Sequence, residues 1–337
     1  MESWSVFRGG HTLFVDLITV IIAFVIVYAL VPAMRWIALR TGFVDMPTER
    51  KAHKHPLPML GGAAMIIGFI VATTLVRHNV MHPSMSADNT FIGLLIGAFL
   101  MFVIGMVDDF AKTRKKDFPA WPKFLVQIVA AAILVLAGAG IKGIEDPIHN
   151  DYFIAFSPWI SAILTIVWVV GIVNVFNFLD GLDGLAGGIA AMSALTLLVI
   201  STMKGDTSSA ISAAALIGGC LAFLRFNFYP ARIIMGDAGS TFIGYVLAAV
   251  SVMGAFKSAT AISIFVPVLA LGVPIFDAIY VVMRRVIEGR PVYKADRTHG
   301  HYRLMASGLT QVQTVSVMYL VALGFSVVAI AIAFINR

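Results

Sequence analysis

The sequence predicts an all-α fold, a polytopic helical membrane protein of about ten transmembrane helices with its polar loops on the cytoplasmic side. Three observations carry this. Hydrophobic residues make up 59% of the chain and charged residues 12%, with a mean hydropathy of +0.92, whereas soluble domains carry about 25% charged residues. The apolar runs approach the ~20 residues that cross a hydrocarbon core as helix, and none shows the ~10-residue alternation of an outer-membrane strand. Finally, Lys and Arg gather in alternate connections between the runs.

Taken in order, hydropathy and breaker residues place spans at about 12–34, 60–77, 90–107, 124–141, 157–178, 185–203, 209–228, 241–256, 260–282 and 311–335. The first run is too long for a signal-peptide core and lacks a basic leader and a small-residue cleavage pattern, so it is expected to stay as a span. With the N-terminus outside, 18 of the 24 Lys and Arg fall in the inner connections, counting Arg225 at the inner end of its span. Only Arg8, Arg77, Lys142, Lys204, Lys257 and Arg337 fall elsewhere. That bias orients both termini outside. The single cysteine, Cys220, sits in an apolar run and excludes an internal disulfide. No repeat or low-complexity tract divides residues 1–337, which read as a single membrane domain. The net charge of +6 is spread over loops and forms no basic patch of a nucleic-acid-binding domain.

Every polar cluster suited to chemistry falls on the inner side. In NVFNFLDGLDGLAGG, Asn174, Asn177, Asp180 and Asp183 recur every third residue. Positions three apart drift by about 60° per step on a helix, so the span must end inside the motif. Gly181 and Gly184 then allow a turn, and Asp183 is placed to cap the next helix. Acids near hydrocarbon are costly, which favours a functional use over a pair of helix caps. Asp108 and Asp109 are adjacent in GMVDDFAK, where one can dominate a site and the other orient a neighbour. Lys112, one turn on, can pair with a carboxylate or meet a phosphate.

GDAGS, with Asp237 and Ser240, opens a span with free amide N–H groups and a hydroxyl, an anion site unless it is simply a Ser-capped helix. A carboxylate there would repel a phosphate unless Mg²⁺ bridged the two. In KADRTHGHYRL, Arg297, His299, His301 and Arg303 suit a diphosphate better than zinc, or else form a solvated basic loop. The run TRKKDFPAWPK interleaves bases with Phe118 and Trp121, as interfacial segments attracted to anionic membrane lipids do. Acids for a divalent metal and bases for phosphates at membrane depth point to phosphoryl transfer between a nucleotide substrate and a lipid phosphate.

In this order and on this side of the membrane, TERKAHKHPLPMLGG (48–62), whose bases could bind phosphate or merely fix topology, and the clusters GMVDDFAK, NVFNFLDGLDGLAGG, MGDAGSTFIG and KADRTHGHYRL resemble the polyprenyl-phosphate N-acetylhexosamine-1-phosphate transferases, glycosyltransferase family 4, from about Gly42 to Leu304. The resemblance implies a multi-pass enzyme of the bacterial inner membrane with cytoplasmic catalytic loops. Such an enzyme moves a sugar 1-phosphate from a UDP-N-acetylhexosamine to undecaprenyl phosphate, releases UMP and needs Mg²⁺, with Mn²⁺ as a substitute and a homodimer as the candidate assembly. It implies Asp108 as the base that deprotonates or positions the lipid phosphate, with Asp109 beside it. Asn177, Asp180 and Asp183 match the family's acidic loop for nucleotide and metal, and Asp237 its principal Mg²⁺ ligand. Asp109 and Asp180 are further candidate ligands. Asn227 in FNFYPA matches an Asn near the uridine, and Lys123 and Lys54 resemble phosphate-contacting lysines. DRTHGHYRL is similar to the Asp-Arg-x-His-x-His-His pattern of enzymes that start O-antigen, common-antigen or teichoic-acid synthesis with GlcNAc-1-phosphate, with Tyr302 in place of its last histidine. The muramoyl-pentapeptide branch, which carries three consecutive histidines, is the enzyme alternative. A cation-coupled transporter is the non-enzyme one, and it would place its acids near mid-bilayer.

Overall fold

A computed structural model describes residues 3–47, 55–80, 89–114, 116, 118–145, 153–254, 261–289 and 299–335. Among these, the helices are α1 (Ser3–Thr41), α2 (Gly61–Val80), α3 (Asn89–Thr113), α4 (Ala120–Leu136), α5 (Pro158–Leu179), α6 (Leu185–Met203), α7 (Thr207–Asn227), α8 (Gly236–Met253), α9 (Ala261–Ala270), α10 (Gly272–Ile287), α11 (Gly300–Ala306) and α12 (Gln311–Ile335). Two short antiparallel pairs accompany them: β1 (Val44–Asp45) with β2 (Leu57–Pro58), and β3 (Gly143–Glu145) with β4 (Phe153–Ala155). Eight of the described helices are long and apolar enough to cross a membrane, and α4 is a shorter apolar helix. The chain is a multi-pass helical membrane protein.

The expected ninth span, 260–282, is instead two helices broken at Leu271, whose φ of −106° and ψ of 23° leave the helical region. Pro267 withholds an N–H and crowds the preceding turn, and Gly272 permits a close crossing, because a Cβ there would meet the Phe325 ring of α12 at 2.7 Å. Hydropathy runs unbroken through this bend.

At the centre stands α8, packed against α2, α3, α5, α6 and α7. Small residues let its neighbours approach, as is usual where helices associate in lipid. Gly62 of α2 meets the backbone of Gly239, Gly105 of α3 meets that of Ala238, and Gly244 receives Val173 of α5. The segment before α2 is also hydrogen-bonded to the one before α8, through Ile234 N–H to Pro58 O at 2.9 Å and Gly61 N–H to Ile234 O at 3.1 Å. Gly61 and Gly62 are therefore packing glycines.

The contact at Gly105 sets the distance between α3 and the first turn of α8. Gly105→Ala is expected to push α3 off Ala238, at an overpacking cost of about 1–3 kcal/mol. It should lower the thermal unfolding midpoint in detergent and displace Asp108 and Asp109 one turn further on.

Candidate active site at one end of the bundle

The α5–α6 turn, the C-terminal end of α3, the N-terminal end of α4, the start of α8 and α11 converge at one end of the bundle. As the three-residue spacing requires, α5 stops at Leu179, inside the NVFNFLDGLDG motif. Gly184, at φ 80°, occupies the N-cap position of α6. Asp183 does not cap α6: its carboxylate accepts the Ala231 N–H at 3.0 Å and ties the turn to the segment before α8. Asn227 adds a second tie, accepting from Gly184 N–H and donating to Ile233 O, both at 2.9 Å.

Asp237 is the electrostatic hub. Lys112 Nζ lies 2.5 Å from its Oδ1 and Lys123 Nζ 2.5 Å from its Oδ2. The same lysines reach Asp108 Oδ2 at 2.9 and 3.0 Å. Asp109 is fully buried and accepts the Asp237 and Ala238 N–H groups at 2.9 and 3.0 Å. The amides expected to be free for a phosphate are thus held by the chain's own carboxylate, a favourable use of a helix's positive end. Ser240 is committed too, donating to Gly236 O at 3.1 Å and accepting from Asn177 Nδ2 at 2.9 Å. The expectation of a ready-made anion site at GDAGS is corrected accordingly.

One oxygen from each of Asp108, Asp109 and Asp237 lies within 4.8 Å of the others. An all-oxygen, multiply anionic set fits a hard divalent cation such as Mg²⁺, and a carboxylate accepting two amide bonds keeps lone pairs for it. Asp180 faces the same space. Burial, and then the negative charges of Asp237 and Asp109, raise its pKa from the ordinary 3.8 to about 8. Between those values the folded chain keeps a proton that the unfolded chain has released, so this group's contribution to stability is present below about pH 4 and lost as pH rises through about 8. Asp180→Asn should flatten that decline, as thermal midpoints across the range in chelator would show.

A cavity of about 390 Å³ joins these groups, lined by Asp45, Met59, Asp109, Lys112, Asp180, Gly181, Leu182, Asp183, Asn227, Ile234, Gly236, Asp237 and Tyr302. Tyr302 and His301 cover the Gly181 turn, where an added Cβ would lie 2.7 Å from His301 Nε2 and 3.0 Å from Tyr302 Oη. His301 is fully buried and, among the described residues, has no hydrogen-bond partner on either ring nitrogen; burial first of all lowers its pKa to about 4. His299 pairs with Asp277 through Nδ1 at 2.8 Å.

Other candidates are placed elsewhere. Asn174 turns to α4, donating to Gln127 Oε1 at 2.6 Å, so the two motif asparagines serve different neighbours. Arg303 stacks 4.4 Å from the Tyr280 ring centroid and does not line the cavity. Lys54 and Arg297 lie outside the described residues. Asp45 and Asp277 were missed; Asp277, a lone acid in a predicted span, carried a readable signal.

A membrane bundle bearing interlocked carboxylates and lysines beside a polar cavity at one end defines a candidate site of charged groups in a multi-pass membrane protein. Residues 91–255 match glycosyl transferase family 4. A Bacillus subtilis (strain 168) protein described as a "Probable undecaprenyl-phosphate N-acetylglucosaminyl 1-phosphate transferase" is 35% identical over 320 residues, covering 94% of this chain and 86% of its own. A decaprenyl-phosphate N-acetylglucosaminephosphotransferase of Mycobacterium tuberculosis (strain ATCC 25618 / H37Rv) is 33% identical over 324 residues, covering 88% of this chain and 78% of its own. An undecaprenyl-phosphate alpha-N-acetylglucosaminyl 1-phosphate transferase of Pasteurella multocida (strain Pm70) is 29% identical over 302 residues, covering 88% and 81%. The chain belongs to glycosyl transferase family 4.

Proposed function

We propose that this protein transfers N-acetylglucosamine 1-phosphate from UDP-GlcNAc to undecaprenyl phosphate, giving undecaprenyl-diphosphate-GlcNAc and UMP, the initiating step of a cell-envelope polysaccharide. The observation that carries the reading is the Asp108, Asp109 and Asp237 cluster threaded by Lys112 and Lys123 at a polar cavity. A second feature supports the lipid acceptor. An apolar groove of about 540 Å³ runs between α5 and α10, from Ile141 and Leu164 to Val175 and Ala278, and suits an extended prenyl chain whose phosphate reaches the polar end. The clustered Lys and Arg support a location of that end in the cytoplasmic leaflet of the bacterial inner membrane, with both termini outside.

In the reaction, an oxygen of the lipid phosphate attacks the β-phosphorus of UDP-GlcNAc in line, the bond from that phosphorus to the bridging oxygen breaks, and UMP leaves. Asp108 positions the acceptor phosphate and takes any remaining proton. Lys112 and Lys123, released from Asp237, meet phosphate oxygens. Mg²⁺ or Mn²⁺ on Asp237, Asp109 and Asp108, with Asp180 at the edge, would neutralise the diphosphate. Asp109 also keeps the first turn of α8 in place. Asp183 and Asn227 hold the turn that walls the nucleotide site.

Purified protein incubated with undecaprenyl phosphate, Mg²⁺ and UDP-GlcNAc is expected to release UMP, with less from UDP-MurNAc-pentapeptide. The reverse preference would move it to the muramoyl-pentapeptide branch, and no UMP from any UDP-sugar would remove the enzyme reading. A phosphosugar adduct trapped on the protein without acceptor would replace direct displacement by a two-step route. Clustering of the acids at one end of the bundle disfavours the transporter alternative.

A further inference from the structure

Helix α10 has two working faces. At 100° per residue, Ile275, Ala278 and Ile279 fall on one side, where they line the apolar groove against α5. Asp277 and Tyr280 fall on the other side, where α11 lies. The Asp277 carboxylate takes two bonds there: Oδ2 pairs with His299 Nδ1 at 2.8 Å, and Oδ1 accepts the Gly300 N–H at 2.6 Å. His299 is the N-cap residue of α11 and makes no side-chain cap of its own, so Asp277 caps this helix from a different element. Midway along α11 the Arg303 guanidinium lies 4.4 Å from the Tyr280 ring centroid. Helix α11 is therefore tied to α10 at its start and at its middle, while it also packs on α12.

What α11 carries explains why this fastening matters. Between the two anchors stand His301 and Tyr302, their rings 4.2 Å apart, the first buried against Gly181 and the second in the cavity wall. A seven-residue helix has too few internal bonds to hold a position alone. An acid within an apolar helix is costly unless its bonds are needed.

We propose that Asp277 is a positioning residue for the transfer reaction: through His299 and Gly300 it sets α11 so that Tyr302 walls the nucleotide-sugar cavity over Gly181. The inference rests on the function proposed above. Asp277 touches no reacting atom; its effect passes through α11. It also means that the helix lining the lipid groove holds one wall of the polar cavity.

Asp277→Asn keeps the shape and one acceptor oxygen but loses the charge. It is expected to lower kcat/KM for UDP-GlcNAc by about tenfold or more, since small misplacements near reacting groups cost up to ~10²-fold, while KM for undecaprenyl phosphate stays within about twofold. His299→Gln should give a similar loss, and the double variant no further one, because both act through the same contact. Independently of activity, modification of His301 by diethyl pyrocarbonate, read by mass spectrometry, should rise about tenfold or more in Asp277→Asn. The exposed His78 on α2 serves as the unchanged reference. Wild-type kinetics with a protected His301, or additive losses in the double variant, would overturn the proposal. If Asp277→Asn does not fold, Asp277→Glu, which keeps the charge and both acceptor oxygens, decides by the same measurements: an unchanged His301 rate with activity above His299→Gln supports it, and activity no better than His299→Gln overturns it. If the wild type releases no UMP, the function reading fails while the His301 measurement still decides whether Asp277 places α11.

Discussion

Asp237→Ala is expected to reduce UMP release from UDP-GlcNAc by about three orders of magnitude or more, in protein that still folds. The size follows from position. Asp237 receives both Lys112 and Lys123 at 2.5 Å and supplies one of three carboxylates grouped within 4.8 Å. Its loss removes a ligand from the divalent cation and the anchor from two ammonium groups directed at phosphate. Removing a single preorganised charge-stabilising group costs about 10²–10³ in rate, and here two such functions go together. Asp237→Asn should be nearly as slow, because a neutral amide cannot balance two ammonium groups. Single-turnover UMP formation with Mg²⁺ titrated over a wide range is the measurement. Activity within about tenfold of wild type would take Asp237 out of the metal site.

Asp109→Ala is expected to lose stability together with activity. Its carboxylate is fully buried and accepts two amide bonds from the first turn of α8. Each buried N–H left without a partner costs about 1–3 kcal/mol, and the helix also loses the anion at its positive end. The expected destabilisation is about 2–4 kcal/mol, seen as a lower unfolding midpoint in detergent, and Asp109→Asn should recover part of it. Asp180→Ala offers the contrast: among the described residues its carboxylate holds no backbone amide as Asp109 does, and it should slow the reaction without lowering the midpoint in chelator. An Asp109→Ala protein that unfolds with the wild type yet does not transfer would make Asp109 a ligand and not a cap.

These two aspartates mark how far the sequence is legible. That Asp108, Asp109, Asp180 and Asp237 share one end of the bundle follows from hydropathy and charge, because an ionised side chain is excluded from hydrocarbon wherever it lies in the chain. That Asp109 is spoken for by α8 does not follow, since its partners lie 128 and 129 positions away. Separation along the chain likewise hides the turn of Asn174 toward Gln127, 47 positions away, the contact of Gly105 with Ala238, and the reach of Asp183 to Ala231, 48 positions away. The bend at Leu271 was signalled by Pro267 and Gly272 but masked by a continuous apolar run. Asp277 was marked as a lone acid in that run, but its partners His299 and Gly300 lie 22 and 23 positions on, so its use was not readable. Tyr302 was visible as a departure from its family's pattern, while its place in the cavity wall needed α11 to be set on α10.

By itself, then, the sequence determined the helical spans other than the broken one at 260–282, the end of the bundle that is polar and the residue types gathered there, because the bilayer acts on each segment locally through hydropathy and charge. Only the tertiary structure decided which carboxylate holds a helix, which holds lysines and which is left to the cavity. That division depends on how closely backbones approach, and in this protein small residues at Gly62, Gly105, Gly239 and Gly244 let α2, α3 and α5 come close enough to α8 for Asp109 to reach its amides.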